Sequence, residues 1–328
     1  MKFWPVLLLL ISFKTFPDCE DEQIVSGKYL LSISEKNDIY VQTQNRFTRL
    51  SEMDYLDPLK NYTIQFWDYD FNITTQYFPE NFIEYYNFQS LQDYMEESRE
   101  KFGRLNYKYQ SIGKSLQRRE LYALLPNKID PNKKTVVIFT RHHGDEGSSN
   151  WILEGFLNEF LISPQNFNLV VYPMVNPDGV EKRTRYNSLD KDLNRLWGMK
   201  EDEIFQFQTH LNSLNLNWDN IPIMLDLHGS KNKDFIYRVD EDFINLNYYY
   251  TQGNFIKTLG GFDPWQKKNY IISNGKNGML RIFFATTKKI NSITHETPKN
   301  ILITSGRSIE TLKAQGKSIY RAILQEYF

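Results

Sequence analysis

Thr135-Val136-Val137-Ile138-Phe139-Thr140-Arg141-His142-His143-Gly144-Asp145-Glu146 is the stretch from which the rest of the 328-residue chain is read. Its first six residues, apolar and β-branched without a break, predict a strand buried on both faces, and the polar run after them predicts a loop at its carboxyl end. An amphipathic helix is expected next, with Trp151, Phe156, Leu157 and Phe160 on one side. Further strands are predicted at Asn168 to Tyr172, Ile223 to Leu227 and Ile290 to Thr294. Upstream, Phe88 to Phe102 reads as a helix, and Ile112-Gly113-Lys114-Ser115 leads into a strand at Glu120 to Leu125. At the other end, Ile309 to Phe328 places Ile309, Leu312, Ile319, Ile323 and Leu324 near one helical face. Strands alternating with helices give an α/β domain with a mixed, largely parallel central sheet flanked by helices.

The residues at the ends of these strands carry the chemistry. Arg141 to Glu146 succeeds the first strand and Asn176-Pro177-Asp178-Gly179 comes after the second; Asp226-Leu227-His228 ends the third and His295-Glu296 the fourth. Ligand sites in open α/β sheets form at the carboxyl ends of strands. Four of the five histidines (His142, His143, His228 and His295) lie there, and His210 does not.

Composition narrows the partners. With 39 basic and 40 acidic side chains the net charge is -1, without the basic excess that a nucleic-acid partner requires. Cys19 is the single cysteine, so no disulfide or thiolate cluster forms within the chain and any metal is held by His, Asp or Glu. Met1-Lys2 precedes an apolar run from Phe3 to Phe13, shorter than the roughly 20 residues a spanning helix needs. It reads as a signal peptide over 1–19 of an exported, periplasmic or secreted protein, with a lipid anchor on Cys19 as a lesser alternative and a buried first element as another. Residues 20–82 carry short β segments at Lys28 to Ile33, Asp38 to Val41 and Tyr62 to Trp67. They form a small β-rich module or prosegment, or equally an extension packed on the catalytic domain at 83–328. No transmembrane span is expected, and oligomeric state is not legible.

His143 and Glu146 stand three residues apart on a loop leading into a helix, and His228 at another strand end supplies a third ligand. Two histidines and one glutamate with an open fourth position is the donor set of a catalytic zinc site. One zinc ion there lowers the pKa of water toward about 7.

The run His143-Gly144-Asp145-Glu146, Asn176-Pro177-Asp178-Gly179, Thr184-Arg185-Tyr186-Asn187, Asp192-Leu193-Asn194-Arg195, Asp226-Leu227-His228 and Thr294-His295-Glu296 resembles the zinc carboxypeptidases of the M14 type over about Asn87 to Phe328. The resemblance implies that His143, Glu146 and His228 bind zinc, and that Glu296 is the general base that also returns a proton to the leaving amine. It further implies that Arg185, with Arg183 as runner-up, polarises the scissile carbonyl, and that Asn194 and Arg195 hold the free carboxylate of a peptide chain end. Asn176 to Gly179 is expected to shape a turn, and Asp226 to support His228 or serve the fold alone.

Two positions depart from that pattern. Counting back from Glu296 to where many relatives carry a mobile tyrosine gives Asn274; Tyr270 is the nearest substitute. Arg281 falls where relatives line the pocket for the leaving side chain, and an arginine there favours an acidic side chain or a diacid, unless it is a surface residue. His143 to Ser149 with Thr184 to Asn187 most resembles the bacterial murein-peptide amidase branch, which implies cleavage of the γ-D-Glu–diaminopimelate bond of a murein-peptide substrate. The rival expectation is an exported carboxypeptidase that removes ordinary or acidic C-terminal residues from proteins or peptides. A zinc deacylase of small amino-acid conjugates and an inactive binding relative are the lesser alternatives.

Overall fold

In a computed structural model of the protein, the described residues are 82–328 apart from residue 245, together with six short strands between residues 22 and 74 for which the backbone pairing alone is given. The segment expected to be a signal peptide and Cys19 lie outside the described residues. The chain divides into two compact units, Met1–Glu84 with Leu302–Ser305, and Tyr85–Ile301 with Gly306–Phe328.

In the first unit β1 (Glu22–Ser26) pairs antiparallel with β2 (Tyr29–Ile33). A second antiparallel sheet, in the order β4-β3-β5-β6, joins β3 (Tyr40–Thr43), β4 (Arg46–Arg49), β5 (Asn61–Phe66) and β6 (Tyr69–Thr74). The β segments expected from the sequence correspond to β2, β3 and β5.

The second unit begins with α1 (Phe88–Arg104), whose start is fixed by a reciprocal cap between Asn87 and Ser90 and whose buried stripe is Leu91, Met95, Ser98 and Phe102. Then come β7 (Tyr107–Lys114), β8 (Glu120–Pro126), β9 (Thr135–Thr140), α2 (Ser148–Ile162), β10 (Asn168–Tyr172), α3 (Pro177–Lys182) and α4 (Asp202–Ser213). The unit continues through β11 (Ile223–Ser230), β12 (Phe235–Arg238), α5 (Leu246–Phe262), β13 (Tyr270–Ile272), α6 (Leu280–Lys288), β14 (Ser292–Pro298) and α7 (Ile309–Tyr327).

Its eight strands form one sheet in the order β13-β12-β14-β11-β9-β10-β8-β7. The four central strands, β14, β11, β9 and β10, run parallel to one another, so the sheet is mixed and largely parallel. β8 lies antiparallel to β10, β12 antiparallel to β14, and β7 forms a hairpin with β8. Every residue of β9 and β10 is buried, which accounts for their unbroken apolar reading.

One face of the sheet is covered by α4 and α6, whose Ile204, Phe207, Leu211, Leu280 and Phe284 pack with Val137, Phe139, Val170 and Tyr172. On the other face α2 crosses α7 closely: a Cβ on Gly155 would stand 1.9 Å from the Lys313 carbonyl oxygen, and one on Gly316 would stand 1.8 Å from that of Ile152. Only glycine allows the two backbones to meet there. Among the described residues no helix is long and apolar enough to cross a membrane.

The strands hold the site through register. His228 pairs with Glu296 and Asp226 with Thr294 across β11 and β14, while Phe235 pairs with Glu296 and Tyr237 with Thr294 across β12 and β14. Residues directly opposite share a face, so Asp226, His228, Thr294, Glu296, Phe235 and Tyr237 project to one side. The expected strand at Ile290 to Thr294 in fact starts at Ser292 and runs on to Pro298, and β11 continues to Ser230. His228 and Glu296 therefore sit within strands, not after them.

Candidate metal centre

The loop after β9 is built to present two ligands. Arg141 takes a left-handed backbone (φ 62), and its fully buried side chain turns back under the loop. One guanidinium nitrogen, Nη2, donates to Gly144 O at 2.8 Å, Tyr86 O at 3.0 Å and the Tyr85 hydroxyl at 2.9 Å. Tyr85 in turn donates to Gly144 O and Val180 O, at 2.5 and 2.7 Å. Gly144 lies against α3 so closely that a Cβ would stand 2.0 Å from the Gly179 carbonyl carbon. Asn176 caps α3 by accepting from Gly179 N, and its amide nitrogen reaches His142 O and Arg185 O, both at 3.3 Å. Asp178 accepts from Ser115 Oγ, Gln117 N and Arg119 Nη1. Asn176 to Gly179, expected to shape a turn, instead caps and opens α3, and from there ties the metal loop, the Arg185 segment and the β7–β8 hairpin together.

His143, Glu146 and His228, all buried, converge. His143 Nδ1 lies 2.7 Å from Glu146 Oε1, while His228 Nδ1 lies 2.9 Å from Glu146 Oε2 and 3.1 Å from His143 Nδ1. The far nitrogens are engaged: His143 Nε2 with Asp192 Oδ1 at 3.1 Å and His228 Nε2 with Asp226 Oδ2 at 2.7 Å. A neutral imidazole carries one N–H. With that proton on Nε2, both Nδ1 atoms turn lone pairs toward each other and toward a carboxylate. Such an arrangement requires a positive charge at its centre, which a divalent cation supplies, and its donor set suits zinc.

The titration of these groups reflects the same demand. Burial opposes charge on His228, yet Asp226 and Glu146 hold its pKa well above the usual value. Burial raises the pKa of Glu146, but His143 and His228 outweigh it and hold the carboxyl well below the ordinary range. Asp192, half-buried, is likewise held low, by His143 and Arg185 against the opposing effect of burial.

Arg185 donates to Asp192 Oδ2 through Nε at 3.1 Å and Nη2 at 2.8 Å, which turns Nη1 to within 3.2 Å of His143 Nδ1. Arg183 instead caps α3 and stacks on the Tyr85 ring at 4.4 Å. The structure therefore brings Arg185 into the site and leaves Arg183 beside it. Glu296 lies opposite His228; burial pushes its carboxyl up to about 7, with Glu146 adding to the rise and His228 opposing it. A carboxylate of that pKa serves as base and acid near neutral pH.

Arg195 is part-exposed, with Nη1 on Asn194 O at 2.7 Å. Asn194 is buried: Oδ1 accepts from Leu280 N at 2.8 Å and Nδ2 faces Asp226 Oδ2 at 3.3 Å. Its amide thus ties the Asp192–Arg195 turn to the start of α6. Arg281 on α6 is buried, not a surface residue; it donates to Ser273 O at 2.9 Å and lies over the Tyr237 ring at 5.2 Å. No carboxylate among the described residues lies within ion-pair distance of it, and burial lowers its pKa to about 10.

Neither tyrosine substitute counted from Glu296 reaches the site. Asn274 bonds Asp240, and Tyr270 lies exposed on the edge strand β13. The phenol beside the site is Tyr237, whose pKa rises through burial and the nearby Glu296. Period-two alternation around β12 is the signal for it, but four residues are too few to read. His295 also departs from expectation. One residue before Glu296 in β14, it points to the opposite face, fully buried near Asp263, Asp234 and Arg307. Among the described residues neither of its ring nitrogens has a hydrogen-bond partner.

Known proteins resemble parts of this chain in sequence and its fold in structure. A family model described as "Succinylglutamate desuccinylase/Aspartoacylase catalytic domain" matches residues 132–249. The chain is 27% identical over 182 residues to cytosolic carboxypeptidase 2 of Macaca fascicularis, covering 50% of this chain and 21% of that one. It is 30% identical over 172 residues to cytosolic carboxypeptidase 3 of Mus musculus, covering 46% and 17%. It thus spans about a fifth of the length of these curated relatives.

Among solved structures, a metallo-carboxypeptidase from Burkholderia cenocepacia superposes with a TM-score of 0.64 at 16% identity, over 89% of this chain and 80% of that one. One from Pseudomonas aeruginosa, in complex with (2-guanidinoethylmercapto)succinic acid, gives 0.60 at 16%, over 88% and 81%. The mixed sheet flanked by helices is the fold of these structures. The solved structures share the fold of this chain, and the sequence likenesses are to parts of carboxypeptidases and to a desuccinylase/aspartoacylase catalytic domain.

Proposed function

We propose that the protein is a zinc-dependent carboxypeptidase that releases a C-terminal residue with a free carboxylate, and prefers a leaving residue that carries a second, acidic group. The observation that carries the reading is Glu296, a carboxyl poised at about 7 across the strand pair from the ligand His228. His143, Glu146 and His228 would hold the zinc ion, which would supply Lewis acidity toward the scissile carbonyl and water at neutral pH. Glu296 takes the proton of the attacking water and delivers it to the leaving amine. Arg185, oriented by its two-pronged bond to Asp192, donates to the carbonyl oxygen as negative charge develops there. The part-exposed Arg195 grips the terminal carboxylate, a duty that falls to it more than to Asn194, whose amide is already engaged.

The acidic preference rests on Arg281. A buried guanidinium without a carboxylate partner gains most from a ligand that brings one. A C-terminal Glu or Asp brings it, and so does the diaminopimelate of a murein peptide. Export of the chain, on which a murein substrate depends, rests on the sequence of Met1 to Phe13 alone.

A second reading is favoured by the match to the desuccinylase and aspartoacylase domain: removal of an acyl group from an acidic amino acid, with the same base, metal and Arg281. Product analysis by mass spectrometry of the zinc-loaded enzyme separates them. The substrates are peptides ending in Glu, Asp, Leu or Lys, a murein tripeptide ending in diaminopimelate, and N-succinylglutamate. Release of C-terminal Glu and Asp supports the proposal, and release of diaminopimelate alone narrows it to murein peptides. Cleavage of N-succinylglutamate without peptide trimming replaces it with the deacylase. Turnover that survives removal of zinc would refute the metal reading.

A further inference from the structure

Behind the metal ligand His228 runs a buried line of side chains that the proposed reaction does not use. Trp197 Nε1 lies 2.9 Å from His142 Nε2, His142 Nδ1 lies 2.8 Å from Asp226 Oδ1, and Asp226 Oδ2 lies 2.7 Å from His228 Nε2. All four residues are no more than 3% exposed, and the His142 and His228 rings stack with centroids 5.5 Å apart and planes 8° apart. The direction of each bond is set by its chemistry. An indole N–H donates only, so His142 Nε2 accepts and carries no proton. The His142 proton then sits on Nδ1 and faces Asp226. Asp226 Oδ2 accepts from His228 Nε2, beside which the Asn194 amide nitrogen also lies at 3.1 Å, and this places the His228 proton on Nε2 and leaves Nδ1 free for a metal. His142 Nδ1 meets Oδ1 at ion-pair distance without the alignment of a hydrogen bond.

The arrangement also settles a competition. His142, Asp226 and His228 lie close enough for three ligand atoms to converge on a second cation. His142 can ligate with Nδ1 only if that nitrogen loses its proton, and Trp197 opposes this by occupying the other nitrogen.

We propose that Trp197 and His142 are positioning residues for the metal centre: Trp197 fixes the His142 tautomer, the His142 Nδ1–H set against Asp226 Oδ1 keeps that carboxylate and that nitrogen from acting as ligands, and the site is thereby kept to one metal bound through His228 Nδ1. The inference rests on the metal reading of His143, Glu146 and His228, and extends it two residues deeper than the partners that touch the ligands.

The test uses the full chain and zinc alone, without substrate. Zinc affinity is measured by chelator competition for wild type, Trp197→Phe, His142→Leu and His142→Asn, and the His142 tautomer is read by long-range 1H–15N NMR of the metal-free chain. Loss of such an outer partner costs about 10- to 100-fold in metal affinity. Trp197→Phe and His142→Leu should weaken zinc by at least about tenfold, and the double variant should be no worse than His142→Leu alone because the two act in series. His142→Asn, whose amide N–H replaces the Nδ1 donor, should recover most of the loss. In Trp197→Phe the His142 ring should populate both tautomers.

Should Trp197→Phe fold poorly, benzothienylalanine at position 197 removes the N–H while keeping the ring shape. Unchanged zinc affinity in Trp197→Phe and His142→Leu would overturn the proposal, and so would equal loss in His142→Asn and His142→Leu. So would a second zinc equivalent that removes the His142 Nδ1–H signal. If wild type binds no zinc, the metal reading falls, while a tautomer change in Trp197→Phe still shows the Trp197–His142 bond itself.

Discussion

Glu296→Gln separates the chemistry of the base from its cost to the fold. In the metal-free protein the Glu296 carboxyl is raised from 4.5 to about 7, first by burial. The folded chain therefore holds this proton more tightly than the unfolded chain. Below pH 4.5 both states are protonated and the group is neutral to stability. Between pH 4.5 and 7 the unfolded chain ionises first, so stability falls as pH rises, and above 7 the loss is complete. At ~1.4 kcal/mol per tenfold change in proton affinity, the gap between 4.5 and about 7 amounts to at most about 3 kcal/mol.

Glutamine mimics the protonated acid and does not titrate. Metal-free Glu296→Gln should match wild type near pH 4.5 and be more stable by up to about 3 kcal/mol at pH 8, while the zinc-loaded variant should be inactive. Urea unfolding of both proteins from pH 4.5 to 8 measures the first effect and peptide hydrolysis the second. Zinc should shrink the stability difference, because the cation favours the ionised carboxylate. A difference that does not grow with pH would refute the burial argument, and turnover by the variant would refute the role of Glu296 as base.

Other expectations arise from the same geometry. Arg185→Met should lower kcat by about 10²- to 10³-fold, as loss of an oxyanion donor does; steady-state kinetics that change KM alone would place the arginine in substrate binding instead. Arg281→Met should cost roughly 10- to 100-fold in kcat/KM for peptides ending in Glu or Asp while sparing those ending in Leu; an even loss across both would remove Arg281 from the pocket. A C-terminally amidated peptide should be nearly inert, and Arg195→Ala should erase the preference for the free acid. Equal cleavage of acid and amide by wild type would sink the chain-end reading.

The central fold is legible in the sequence because β9 and β10 are buried on both faces, so their apolar runs end where the strands end. The ligands are legible because loop and strand-end histidines beside carboxylates are a sparse pattern in a chain with five histidines. The features that escape are set by tertiary register. β12 and β13 are four and three residues long, too short for alternation to show, so counting along the chain reaches Tyr270 and Asn274 and passes over Tyr237. Asp192 stands next to Asn194 and Arg195 in the chain, yet its grip on both His143 and Arg185 depends on the turn it caps. His295 looks like a companion of the other histidines because sequence proximity to Glu296 hides the alternation that sends it to the far side of the sheet.

That alternation has an evolutionary corollary. Lengthening the chain at Lys289, the exposed residue that ends α6 before Ile290 enters the core, changes only a connection, and surface connections absorb insertions readily. A single residue gained or lost between Ser292 and Glu296 would instead invert the strand, burying the glutamate on the helix side and offering His295 to the substrate. Descendants of this sequence are thus free to vary in the length of the turn, whereas the five residues from Ser292 to Glu296 can drift in composition but not in number.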